Sequence, residues 1–244
     1  MHKVIPMIVP SHPSRFLPLT DKSAFKSMIR TTLQQQFEDS NQDSFKDFLS
    51  TTKASFTEMM ANVTVFGHRG ARFEFTASKP IVENTLSSIK YAVSQGVRAF
   101  EFDIMLTKDN QQVLSHGPDL LDDLPELTGE INDHTLASLK AAGRIEGIDV
   151  TTFEEVLAFT AEWNTAHPHD RILLNPELKG PNTATPALNT VQTYFVALGG
   201  QPSDICFSSF SAENLTGLIE SNSKLDGIGV SILIEHATKP KTSF

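Results

Sequence analysis

The sequence predicts an α/β protein folded as a (β/α) barrel, and three observations carry the prediction. From residue 63 onward, short apolar runs alternate with segments of helical spacing, the pattern of parallel strands joined by crossover helices. Four of the runs finish in histidine, carboxylate or lysine side chains, and the C-terminal ends of parallel barrel strands converge on one mouth. No Gly-rich phosphate or dinucleotide fingerprint follows the first run, so an open doubly wound sheet is the weaker choice.

Taken in order, residues 1–62 stand apart from the rest. They read as a tail and two amphipathic helices, one with Phe25, Met28, Ile29, Leu33 and Phe37 on its apolar side and the other with Phe45, Phe48, Leu49, Phe56, Met59 and Met60. Asp21 and Asp43 are placed to cap them. The barrel domain, 63–244, follows. Its predicted parallel strands are VTVF (63–66), AFEFDIML (99–106), QVLSH (112–116), RILLNPEL (171–178), DICFSS (204–209) and GIGVSILI (227–234). The predicted helices are NTLSSIKYAVSQG, TTFEEVLAFTAEW, ATPALNTVQTYFVALGG and SAENLTGLIESN; several open on Asn, Thr or Ser, and two close at Gly96 and Gly199. Two further strand–helix units are expected of a full barrel, so the predicted barrel is incomplete at its C-terminus. Its open edges would be covered by residues 1–62 or by a second chain, making a homo-oligomer a possible partner arrangement.

Composition narrows the class. The 244 residues carry a net charge of −9, which argues against an electrostatic grip on nucleic acid or an anionic membrane. The acidity belongs to the second part: residues 1–60 hold 7 basic and 6 acidic side chains, against 13 and 23 beyond. Cys206 is the single cysteine, so no internal disulfide or Cys-based zinc site can form, and it reads as a small buried side chain. The N-terminal apolar run at 4–9 is short and broken by Pro6, and nothing later reaches the length of a membrane span, which points to the cytoplasm.

The chemistry concentrates at strand ends. In FGHRGA, glycines at 67 and 70 let the backbone turn sharply or approach a ligand, and His68 and Arg69 lie between them. In AFEFDIML, Glu101 and Asp103 are two apart on a strand and share a face. Two carboxylates on a buried face repel unless a divalent cation or strong donors compensate; the alternative is that they face solvent or an arginine. NPELKG repeats the spacing with Glu177 and Lys179, and QVLSHG delivers His116.

As an ordered set, HRGA, VENT, EFDIMLTKD, VLSHGPDL, TTFEEVL, NPELKG and SSF resemble the glycerophosphodiester phosphodiesterases, members of the wider phospholipase-C-like phosphodiesterase group with a TIM-barrel fold. The resemblance implies that His68 and His116 are the catalytic histidines, Glu101, Asp103 and Glu177 the ligands of Mg²⁺ or Ca²⁺, and Arg69 and Lys179 the phosphate-contacting cations. Glu83 and Asn84, from VENT, match a motif at the substrate site. The activity implied is metal-dependent hydrolysis of a small-molecule glycerophosphodiester to glycerol 3-phosphate and an alcohol, with the two histidines as general acid and base. Which histidine plays which part stays open. Val82 replaces the family's usual proline and Gly117 its usual aspartate, and ARFEFTASKPIV lengthens the loop before VENT.

Two other readings remain: a phospholipase-type phosphodiesterase acting on an intact or lyso-phospholipid, and a truncated, non-catalytic barrel serving as an interaction module. His2, His12, His134, His167, His169 and His236 fall in the tail or in loops, with His167 and His169 at most a weak metal pair. Ser208 and Ser209 lack a nucleophile-elbow context and read as strand-end hydrogen bonders, while Asp122 and Asp123 read as a solvated turn.

Overall fold

The computed structural model describes residues 66–71, 75–76, 79–117, 124, 126–220 and 227–233. The predicted tail and helices of 1–62, with His2 and His12, lie outside the described residues, as do Asp122, Asp123 and His236. Of the predicted VTVF run, residues 63–65 lie outside the described residues; strand β1 covers Gly67–His68, so His68 stands on a strand rather than after it. The long loop that follows carries a small antiparallel hairpin of β2, Phe75–Thr76, and β3, Lys79–Pro80. Helix α1, Leu86–Ser94, opens on Thr85, whose hydroxyl accepts from Ser88 N, and closes before Gly96 at φ 88°.

Strand β4, Ala99–Leu106, is the spine of the sheet. Phe100, Phe102 and Ile104 are fully buried on one face, while Glu101 and Asp103 alternate onto the other. Strand β5, Gln112–Leu114, overturns one expectation: it pairs antiparallel to β4, not parallel. The physical reason is the connection. Residues 107–111 form a tight turn, with Thr107 N donating to Gln111 O at 2.9 Å and Asn110 at φ 57°, whereas a parallel crossover needs a dozen residues or more.

Helix α2, Leu136–Glu146, was not anticipated, although its signals are present: Thr135 caps it by accepting from Ser138 N, and Gly147 ends it at φ 72°. It closes a small core of Val113, Leu124, Ile131, Leu139, Ala142 and Val150 beneath the hairpin. Helix α3, Phe153–Ala166, starts with a capping box between Thr152 and Glu155. Strand β6 is Leu173–Leu178, and helix α4, Ala184–Thr190, runs on through a π-helical stretch, Val191–Phe195. Strand β7 is Cys206–Ser209, helix α5 is Ala212–Glu220 and strand β8 is Gly229–Ile232.

The sheet runs β1-β4-β6-β7-β8, all parallel, with β5 returning along β4. Five parallel strands among the described residues, with helices between them, are the architecture of an incomplete (β/α) barrel. The main core lies between the strands and the helices. Phe153, at the start of α3, touches Phe102 of β4 at a centroid distance of 6.0 Å and Phe207 of β7 at 6.4 Å, tying helix and sheet together. Pro176 has no N–H to donate toward β7, and the Asn175 side chain compensates by donating from Nδ2 to Cys206 O.

Candidate active site

The HRGA turn is shaped by close contacts. A Cβ on Gly67 would lie 2.5 Å from Gly70 O, and one on Gly70 would lie 2.3 Å from Ser88 Oγ, so both positions exclude a side chain. Arg69 takes a left-handed φ of 54°. Ser88, fully buried on α1, donates from Oγ to Arg69 O at 3.0 Å and accepts from Ala71 N at 2.6 Å, while Asn84 N donates to the same Arg69 O at 3.1 Å. The start of α1 therefore splints the turn. Ser88 was missed in the sequence because a contact from a helix to a distant loop leaves no periodic trace.

Strand register places the carboxylates. His68 stands opposite Glu101, Glu101 opposite Asn175, Asp103 opposite Glu177, and Glu177 opposite Ser208. Neighbours in a parallel ladder point to the same side, so these residues share the face away from the helices. Ligand oxygens of Glu101, Asp103 and Glu177 lie within 4.8 Å of one another. His68 Nε2 is 3.7 Å from Glu101 Oε2, and Arg69 N donates to the same oxygen at 3.2 Å.

Asp103, 1% exposed, is surrounded by donors. Asn84 Nδ2 reaches Oδ2 at 2.9 Å, and Lys179 Nζ lies 3.3 Å from Oδ1 and 2.7 Å from Glu177 Oε1. Arg69 pairs with Glu83 through Nη1. Its buried Nε lies 3.2 Å from Asp103 Oδ2 as an ion pair, without the alignment of a hydrogen bond. His116 arrives from the antiparallel β5, one residue past Ser115, whose N–H donates to Asp103 O at 3.1 Å. Three parallel strands and one returning hairpin thus converge here, rather than four parallel strands.

The electrostatics follow from crowding. Burial, then the charges of Asp103 and Glu177, push the Glu101 carboxyl up to about 8, against the opposing Arg69 N–H and guanidinium. Burial also raises Glu177, although Lys179 opposes it. Burial would lower Lys179, but Asp103 and Glu177 outweigh it, so its pKa is raised. Burial, then the Arg69 and Lys179 cations, lowers the His116 imidazole against the opposing charges of Asp103 and Glu83. Three hard oxygen donors, one of them holding its proton well above the ordinary carboxyl value because it is buried beside two other carboxylates, fit a Mg²⁺- or Ca²⁺-like ion.

Other residues fall into place around this face. Phe210, exposed just after β7, has its ring 5.7 Å from Lys179 Nζ. Ser208 and Ser209 are buried hydrogen bonders, Ser209 Oγ donating to Leu178 O at 2.8 Å. His167 stacks on Trp163 at a centroid distance of 4.0 Å, and His134 bonds to Thr128 O. Cys206 is half-buried rather than buried, its thiol pushed up to about 11 by desolvation. A cavity of about 380 Å³ lined by Ala158, Ala161, Glu162, Thr165, Ala166 and Leu198 contains none of the ionisable cluster, whose chemistry and not its volume identifies the site. No described helix is long and apolar enough to cross a membrane.

The glycerophosphoryl diester phosphodiesterase family matches residues 68–242. A glycerophosphodiester phosphodiesterase of Thermotoga maritima is similar in structure, with 27% identity, a TM-score of 0.53, and coverage of 71% of this chain and 62% of that one. Glycerophosphodiester phosphodiesterase candidates from Silicibacter pomeroyi (23% identity, TM-score 0.53, 68% and 62% covered) and Galdieria sulphuraria (24%, 0.51, 69% and 63%) share the fold. The chain spans a little over six-tenths of the length of these structures. No curated protein matches it. The family match over most of the chain, on the strands that place the carboxylate cluster, makes this protein a member of the glycerophosphoryl diester phosphodiesterase family.

Proposed function

We propose that this chain hydrolyses glycerophosphodiesters, releasing glycerol 3-phosphate and an alcohol such as choline or ethanolamine. The observation that carries the reading is the in-register row of Glu101, Asp103 and Glu177, with His68 beside Glu101, in a chain of this family. Glu101, Asp103 and Glu177 would hold a divalent cation, Mg²⁺ or Ca²⁺. Such an ion supplies positive charge to phosphoryl oxygens as negative charge develops on them. Arg69 and Lys179 add fixed positive charge on the same face and hold the phosphodiester against it. Of His68 and His116, one takes the proton of the attacking oxygen and the other protonates the departing alcohol; attack by water gives glycerol 3-phosphate directly, whereas attack by the glycerol hydroxyl next to the phosphate gives a cyclic phosphodiester that water then opens, with the proton transfers reversed. Glu83 holds the Arg69 guanidinium through Nη1 while Asp103 lies at its Nε. The lone cysteine suits a reducing compartment, the cytoplasm.

The test is release of glycerol 3-phosphate from glycerophosphocholine with Mg²⁺ or Ca²⁺, abolished by EDTA. Absence of EDTA-sensitive release sinks the proposal. Turnover confined to lysophosphatidylcholine in a parallel assay would replace it with a phospholipase-type activity.

A further inference from the structure

Asn84 is the residue before the cap of α1, and it is 6% exposed. Its side chain is used twice on a single residue of β4: Nδ2 donates to Asp103 Oδ2 at 2.9 Å, and Oδ1 accepts from Asp103 N at 3.2 Å. Its own backbone N–H donates to Arg69 O at 3.1 Å. One residue thus grips both the Arg69 turn and the central carboxylate. Its backbone is left-handed at φ 54°, where glycine is the least strained choice. Glycine would satisfy the backbone and leave Asp103 ungripped.

We propose that Asn84 is a positioning residue of the carboxylate cluster, acting through Asp103 rather than on substrate. An aspartate side chain is free to turn about its two torsions. Here the amide pins Oδ2 and the main-chain N–H together, which leaves Oδ1 directed to the side shared with Lys179 and Glu177. Through its main chain Asn84 sets the His68–Arg69 turn in the same frame, so cation ligands and phosphate-side cation keep a fixed relation. This inference rests on the reading of Glu101, Asp103 and Glu177 as cation ligands.

Removal of a hydrogen-bonding partner behind a metal ligand typically weakens the ion by about 10- to 100-fold. The experiment titrates Mg²⁺ and Ca²⁺ into the EDTA-stripped full chain by calorimetry, with melting temperatures and steady-state kinetics for wild type, Asn84→Gly and Asn84→Ala. Both variants are expected to bind the ion about 10- to 100-fold more weakly. Asn84→Ala should melt lower than Asn84→Gly, because only alanine is strained at this φ. At saturating ion, KM for glycerophosphocholine should stay near the wild-type value. Ion affinity within twofold of wild type in Asn84→Gly overturns the inference, as does weakening seen only in Asn84→Ala and in step with its melting. A raised KM with unchanged ion affinity overturns it in favour of a substrate contact. Wild-type protein that binds no ion overturns this inference and the proposed metal centre together; wild-type binding with an unaffected Asn84→Gly removes this inference alone.

Discussion

Lys179 Nζ spans two carboxylates, 2.7 Å from Glu177 Oε1 and 3.3 Å from Asp103 Oδ1, which stand directly opposite each other on β6 and β4. Its ammonium compensates the repulsion between them by pairing with both. Lys179→Met should lower the stability of EDTA-treated protein by about 1.5–3 kcal/mol, the range for hydrogen bonds to charged groups. Saturating Ca²⁺ should shrink the difference. Urea unfolding with and without the ion is the measurement, and equal stability of the two proteins in EDTA would contradict the compensation.

The two histidines should separate from the ligands. His68→Ala and His116→Ala are each expected to lower kcat by about 10²–10⁴-fold, and His116→Ala should leave ion affinity nearly intact. The kcat/KM profile of wild type should be bell-shaped in pH. Burial, with Arg69 and Lys179, holds His116 below the ordinary histidine value, which favours its neutral form. Lost ion binding in His116→Ala would instead make this side chain a ligand.

Glu101 should make the ion-free protein less stable as pH rises. Its folded pKa of about 8 lies above the ordinary value of 4.5, so the folded state binds the proton more tightly than the unfolded state. The stabilising contribution is complete below pH 4.5 and is lost between 4.5 and about 8. In EDTA, Glu101→Gln and wild type should melt together near pH 4.5, and the variant should be the more stable by pH 8. A constant difference across that window would refute the shift.

Phe153 joins α3 to two strands through Phe102 and Phe207 and is fully buried. Phe153→Ala should cost about 3–5 kcal/mol, read from denaturant unfolding. A loss below 1 kcal/mol would mean that the helix–sheet seam collapses around the gap.

Strand β8 exposes Val230 (38%) and Ile232 (63%) on its outer face, and it ends the sheet among the described residues. The apolar residues of 1–62 are suited to cover such surface. Deletion of 1–62 is therefore expected to give insoluble or self-associated protein by sedimentation. A soluble, monomeric, active 63–244 chain would rule out the covering role.

The α/β class and the shared face of Glu101 and Asp103 were legible in the sequence because both depend on local periodicity: a strand alternates its side chains whatever it pairs with. The same holds for Thr152 and Gly199, whose capping chemistry is local. The ordered motifs identified the family for the same reason. Strand direction is not local. AFEFDIML and QVLSH both read as strands, and only the tight turn at 107–111 makes one run back along the other. Register is not local either: Asp103 and Glu177 meet because β4 and β6 pair at that offset, which no spacing within either segment encodes. Asn84 shows the limit most directly. Its motif marked the neighbourhood of the site, but its double grip on Asp103 exists only once a left-handed turn before α1 is laid against β4, a contact made by tertiary packing.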